Sequence, residues 1–102
     1  MNDTDILYGL DINDLKDIIK VLNKFTMVQS AVLFGSRAMG NQRKGSDIDI
    51  ALKGSISYHD LLEILVVLDK LELPYSFDIL IYNNISEPAL KEHIQRIGKI
   101  LF

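Results

Sequence analysis

Two aspartates separated by a single isoleucine are the residues of this sequence best placed to do chemistry. Asp47 and Asp49 alternate with Ile48 and Ile50, and residues two apart in a strand point to the same face of a sheet. We therefore expect the two carboxylates to project together while the isoleucines enter a core. Because neighbouring carboxylates repel each other unless a cation or a proton lies between them, this pattern favours a site for a divalent cation.

A small turn precedes this pair at a defined interval. Gly35-Ser36 follows the apolar run 31–34, and ten residues separate Ser36 from Asp47. Gly35 lets a phosphate approach the backbone because it has no Cβ. The Ser36 hydroxyl and nearby N–H groups can donate to phosphate oxygens. The turn and the paired carboxylates together predict a magnesium–nucleotide site.

Three basic residues lie between the turn and the aspartates. Arg37, Arg43 and Lys44 are the nearest cations for a triphosphate. We predict that Arg37 and Lys44 contact the nucleotide. The alternative is that Lys44 and Arg43 are solvated charges of a loop, since most surface ion pairs contribute little to stability.

The hydrophobic pattern predicts the order helix, strand, strand, helix, strand, helix in one domain spanning 1–102. The helices are expected over 12–25, 58–71 and 87–97, and the strands over 28–34, 47–53 and 76–82. Asp11 and Ser86 are the expected N-caps, and Pro74 is expected to close the second helix. The fold class is therefore α/β (α+β), with a small mixed three-stranded sheet packed with helices and a possible short fourth strand in the tail 99–102.

The expected topology adds a third carboxylate to the site. The first two strands must be antiparallel neighbours if Ser36 and Asp47 share a site. A helical crossover makes the second and third strands parallel, so that Asp78 lies beside Asp49. We predict Asp78 as the remaining metal ligand, which could also orient or deprotonate an acceptor hydroxyl. A role in a turn or cap is the alternative for this residue.

The chemistry of magnesium fits these residues. Mg²⁺ combines one or two carboxylates with phosphate oxygens and water, and two ions about 3.5 to 4 Å apart can activate an attacking oxygen and stabilise the leaving one. Asp47 and Asp49 are the expected bridging ligands. The alternative is that the two aspartates only form the solvent-exposed face of a strand whose other face is buried.

The composition limits the other function classes. The net charge of −3 argues against direct nucleic-acid binding, and no apolar run approaches the ~18 residues of a membrane span. The acidic residues 1–5 do not resemble a signal peptide, and without cysteine there is no disulfide framework. We therefore expect a cytoplasmic protein. An apolar content of 48% is high for so short a chain, which predicts a partner surface.

The spacing also resembles a known family. Gly35-Ser36, ten residues and Asp47-x-Asp49, with a later strand aspartate, is similar to the DNA polymerase β-like nucleotidyltransferase superfamily. The run from Phe34-Gly-Ser-Arg-Ala to Ser46-Asp-Ile-Asp resembles its smallest branch, the minimal nucleotidyltransferases or MntA-like antitoxins. This resemblance implies the nucleotidyltransferase fold, ATP as substrate, Mg²⁺ as cofactor, and catalytic roles for the three aspartates.

The resemblance further implies a partner chain. Relatives of this size commonly bind an all-helical HEPN-type protein, and in toxin–antitoxin pairs they transfer AMP from ATP to a tyrosine of the toxin. Two alternatives stay open at this point. One is an antitoxin that acts by binding alone, and the other is the catalytic subunit of a two-chain small-molecule nucleotidyltransferase. A homodimer and a hetero-oligomer are both compatible with the sequence.

Overall fold

The computed structural model describes residues 6–102, so the acidic residues 1–5, and the inference about a signal peptide, lie outside it. Its elements in chain order are β1 (Ile6–Leu7), β2 (Leu10–Asp11), α1 (Ile12–Lys24), β3 (Ser30–Phe34), α2 (Gly35–Met39), β4 (Ile48–Lys53), α3 (Tyr58–Asp69), β5 (Phe77–Ile81), a 3₁₀ turn (Tyr82–Asn84), α4 (Pro88–Ile97) and β6 (Lys99–Ile100). The six predicted helices and strands are present in the predicted order. Within residues 6–102, no helix is long and apolar enough to cross a membrane.

The main sheet has four strands in the order β5-β4-β3-β6. Strands β3 and β4 are antiparallel, with Phe34 opposite Asp49. Strands β4 and β5 are parallel, with Asp49 opposite Asp78. The tail adds β6 antiparallel to β3. The expected mixed sheet, including its short terminal strand, is thus confirmed.

Helices cover both faces of this sheet. Ile50 of β4 lies in the larger core beneath α1 and α3, whereas the next residue, Ala51, is buried with Ile94 of α4 on the opposite face. Because strand side chains alternate, Asp49 lies on the face of α4. Asp78, its partner in register, shares that face. The carboxylates and α3 are therefore on opposite faces of the sheet.

Of the two N-caps predicted from the sequence, one is confirmed and one is wrong. Asp11 caps α1 as predicted, accepting a hydrogen bond from the Asn13 N–H at 2.7 Å. The predicted Ser86 cap is wrong, because α4 begins at Pro88 and its N-cap is Glu87. Proline favours the first helical position and holds the preceding residue in an extended conformation. The residue directly before Pro88 therefore becomes the cap.

Helix α3 ends earlier than the sequence suggested. Its last residue is Asp69, and the chain leaves the helix through a turn in which Glu72 has a φ of 53°. The Glu72 N–H donates to the Asp69 carbonyl at 3.1 Å. Pro74 lies beyond this turn, so the prediction that it closes the helix is wrong.

A β-hairpin that the sequence analysis did not predict precedes α1. Strands β1 and β2 are antiparallel, and the two residues between them, Tyr8 and Gly9, have φ values of 57° and 74°. Two consecutive left-handed residues are typical of a type I′ turn. The hairpin brings the Tyr8 carbonyl to the candidate site.

Candidate active site

The pairing of two parallel strands brings two carboxylates together. Asp49 and Asp78 are partners in the register of β4 and β5, and their carboxyl groups are close enough to share a hydrogen bond. Partial burial raises the pKa of Asp49 above its ordinary value, and the negative charges of Asp78 and Asp47 raise it further. Arg37 acts in the opposite direction and lowers this pKa. The site thus concentrates more negative charge than its one nearby guanidinium offsets.

The third aspartate, Asp47, is the residue directly before β4. It is exposed, and its charge acts on Asp49. Within residues 6–102, no three acidic or histidine side chains form a preorganised metal cage. The arrangement fits magnesium nevertheless, because this ion usually takes one or two carboxylates and completes its shell with phosphate and water.

Gly35 is required where β3 gives way to α2. Its φ is 75°, a left-handed conformation that side chains disfavour. A Cβ built at this residue would collide with the carboxylate of Asp49. The structure therefore gives Gly35 a second purpose, besides the phosphate access predicted from the sequence: it makes room for Asp49.

Ser36 lies in the first turn of α2, half-buried. The helix begins at Gly35 and its N-cap is Phe34, so Ser36 does not cap it. The N–H groups of a first helical turn have no partners within the helix. Ser36 and these groups lie one residue from the contact between Gly35 and Asp49, where the sequence analysis placed a phosphate.

Arg37 is buried, with only 4% of its surface exposed. Its Nη2 and Nε donate to the Ser46 carbonyl at 2.8 and 3.3 Å, and its Nη1 donates to the Tyr8 carbonyl at 3.1 Å. The guanidinium carbon also lies 5.5 Å from the centre of the Tyr75 ring. Arg37 therefore holds the end of the 40–47 loop, next to Asp47, against α2 and the hairpin. No local sequence pattern identifies this function.

The structure places Lys44 in a neighbouring cleft. This cleft has a volume of about 530 Å³ and also includes Arg43, Tyr75 and Ser76 in its lining. Both Lys44 and Arg43 are exposed. The Arg43 N–H donates to Ser46 Oγ at 2.8 Å, which forms a local turn. The aspartates are outside the lining of this cleft, so the structure does not bring Lys44 into direct contact with them.

Comparison with known proteins assigns the family. The model of the family described as polymerase beta nucleotidyltransferase matches residues 16–102. The chain belongs to this family. Its members are nucleotidyltransferases, so the chain is an enzyme of this class. A relative from Methanocaldococcus jannaschii, named “Putative protein adenylyltransferase”, is 32% identical over 92 residues, covering 82% of this chain and 91% of the relative.

Solved structures of family members show the same fold. A toxin–antitoxin structure with AMP-PNP has a TM-score of 0.67 at 23% identity, covering 91% of this chain and 73% of that chain. A Shewanella oneidensis complex of a tri-AMPylated HEPN toxin with its MNT antitoxin also has a TM-score of 0.67, at 22% identity, covering 89% of this chain and 71% of that chain. At these identities the likeness demonstrates the nucleotidyltransferase fold.

Proposed function

We propose that this chain is a magnesium-dependent adenylyltransferase that moves AMP from ATP to a tyrosine hydroxyl of a HEPN-type helical partner, as an antitoxin. The observation that carries the proposal is the in-register pair of Asp49 and Asp78, with Asp47 two residues away and Gly35 in contact with Asp49. These residues lie close together and would hold the metal and the phosphates of ATP.

The proposed reaction is a displacement at the α-phosphorus of ATP. The tyrosine oxygen forms a bond to the α-phosphorus of ATP, the bond from that phosphorus to the bridging oxygen breaks, and pyrophosphate leaves with the electron pair. Asp78 is assigned to orienting the hydroxyl and accepting its proton. Asp47 and Asp49 would hold the metal, which when bound neutralises phosphate charge. Ser36 and the first N–H groups of α2 bind the phosphates.

Known relatives support the choice of nucleotide and acceptor. The Methanocaldococcus jannaschii relative bears the name of a protein adenylyltransferase. In the Shewanella oneidensis complex, the HEPN toxin that accompanies the MNT antitoxin is AMPylated. A helical partner would also supply the acceptor tyrosine.

A labelling experiment tests the proposal. The purified chain is incubated with Mg²⁺, ATP labelled at the α-phosphate and a candidate HEPN-type partner, and the labelled residue is located by mass spectrometry. Asp47→Asn and Asp49→Asn should each reduce labelling by about 1,000-fold, because the metal would lose a charged ligand. Asp17→Asn on the exposed side of α1 is the matched control and should retain full labelling. Undiminished labelling in both site variants would refute the proposal.

A second function, neutralisation by binding alone, is favoured by exposed apolar residues on α3. In that case a chain carrying both Asp47→Asn and Asp49→Asn would still bind and neutralise the partner. If this double variant still forms the complex but neither transfers AMP nor neutralises the partner, then transfer rather than binding is the antitoxic activity.

A further inference from the structure

Helix α3 exposes a continuous apolar row. Tyr58, Leu62 and Val66 follow each other at four-residue intervals and are 71%, 43% and 55% exposed, respectively. Residues four apart lie above one another on a helix, so these side chains form one ridge. Ile64 and Leu68 of the same helix are buried in the core. The helix therefore has an apolar side for the core and a second apolar side that no described element covers.

Two hollows border the part of this ridge that Leu62 and Val66 form. The larger, of about 770 Å³, lies between α3 and the segment leading into β5. The smaller, of about 420 Å³, lies between α3 and Phe25 at the end of α1. Leu62 and Val66 line both hollows. A ridge between two grooves is the shape that receives the side chains of another helix.

The charged side chains that line the two hollows are acidic. Among the described residues that line the two hollows, the carboxylates are Asp69 and Glu72 in the larger and Glu63 in the smaller. The only other ionisable neighbours in these linings are Tyr75 and His59, and His59 Nε2 lies 3.1 Å from Glu63. A nearby cation is Lys70, the exposed C-cap of α3, which lies four residues beyond Val66 at the end of the ridge and outside both linings. A second copy of this surface would set carboxylates against carboxylates, which is unfavourable.

We propose that the α3 surface, defined as Tyr58, Leu62, Val66 and the two bordering hollows, binds an amphipathic helix of a partner protein whose apolar side is bordered by lysine or arginine. The apolar ridge supplies the burial, and the acidic borders select the basic partner. This inference rests on the binding function considered above, for which it names the surface and the chemistry of the partner, and it does not depend on AMP transfer. Helix α3 packs on the face of the sheet opposite Asp49.

A pair of synthetic peptides tests this proposal on the whole chain. Both are helices of roughly 15 residues, about 22 Å long, with the same leucine stripe. One has lysine on the borders of the stripe and the other has glutamate. Titration calorimetry at low salt should give at least ~10-fold tighter binding of the lysine peptide, and the preference should shrink as salt is added.

Two variants separate the two contributions. Leu62→Ser with Val66→Ser removes the ridge without changing charge and should abolish binding of the lysine peptide. Asp69→Asn with Glu72→Gln should reduce the preference for lysine over glutamate while keeping the stripe contact. Ile100→Ser on β6, 76% exposed at the far edge of the sheet, is the control and should bind like the wild type. Circular dichroism checks that each variant is folded.

The proposal is overturned if neither peptide binds, if the two bind equally, or if binding survives the loss of Leu62 and Val66. Self-association of the chain that the same double variant abolishes would make a second copy the occupant, which also overturns it. AMP transfer is measured separately. If the wild-type chain binds the lysine peptide but does not transfer AMP, only the proposed function is rejected. If it transfers AMP but does not bind the peptide, only the proposal for the α3 surface is rejected.

Discussion

The carboxylate of Asp49 occupies the space into which a Cβ on Gly35 would project. The two residues are 14 positions apart in the chain, and antiparallel pairing brings them together because Phe34, the neighbour of Gly35, is opposite Asp49. The phosphate-side turn and the metal-side strand are therefore in direct contact. A substitution in the turn should therefore displace the aspartate on the strand.

Gly35→Ala should destabilise the protein and displace Asp49. The left-handed backbone disfavours alanine by about 1 to 2 kcal/mol, and the collision with the carboxylate adds to this. Gly40→Ala is the matched control, since Gly40 has a φ of 80° and no described atom lies within 4 Å of its Cβ position. Thermal unfolding and AMP transfer should both be impaired more by the change at residue 35. Equal effects of the two variants would contradict the contact.

Asp78→Asn should reduce AMP transfer by about 100-fold, since it removes a proton acceptor and a negative charge. The same change should lower the pKa of Asp49, because Asp78 raises that pKa through its charge and its hydrogen bond. Kinetics measure the first effect, and a carbon NMR titration of the aspartate carboxyls measures the second. An unchanged pKa of Asp49 would show that the two side chains do not interact.

The stability of the metal-free protein should depend on the ionisation of Asp49. Burial, then Asp78 and then Asp47 raise its pKa in the folded protein, so the folded state binds the proton more tightly than the unfolded state. The ionised carboxylate therefore lowers the free energy of unfolding above the pKa of an unfolded aspartate, about 3.9. This loss is relieved as the pH falls through the raised folded pKa.

Asp49→Asn should consequently raise the melting temperature in EDTA near neutral pH and give little gain below about pH 3.9. Differential scanning calorimetry at several pH values measures this. Asp17→Asn, an exposed change of the same type, should have little effect. A lower melting temperature for Asp49→Asn at neutral pH would contradict the electrostatic argument. When Mg²⁺ and AMP-PNP are added, the melting temperature of the wild type should rise because of binding, and that of Asp49→Asn should not.

Arg37→Met should reduce the free energy of unfolding by about 1 to 3 kcal/mol, because the partly buried carbonyls of Ser46 and Tyr8 lose their donor. Arg43→Met is the control: its side chain is exposed, and the change should cost no more than about 0.5 kcal/mol. Urea unfolding compares them. If Arg37→Met left stability intact but weakened ATP binding, Arg37 would contact phosphate, as the sequence analysis predicted, rather than hold the loop.

The predictability of the elements follows their length and periodicity. Helices α1, α3 and α4 and strands β3, β4 and β5 have apolar residues at regular intervals, and all six were predictable. The hairpin at Ile6–Asp11 was missed because strands of two residues have no period to detect. The end of α3 was misplaced because a local turn at Glu72 stops the helix before Pro74. Periodicity identifies an element better than it locates its ends.

The sequence by itself determined the chemistry that can be proposed: the alternation of Asp47 and Asp49, the interval from Ser36, and the strand order that places Asp78 beside Asp49. These relations depend on local geometry and on one crossover. Only the tertiary structure decided how Arg37 is used. Its donors bind the Tyr8 and Ser46 carbonyls and its guanidinium lies over Tyr75. The direction of a buried side chain depends on groups distant in the chain, which local spacing does not encode.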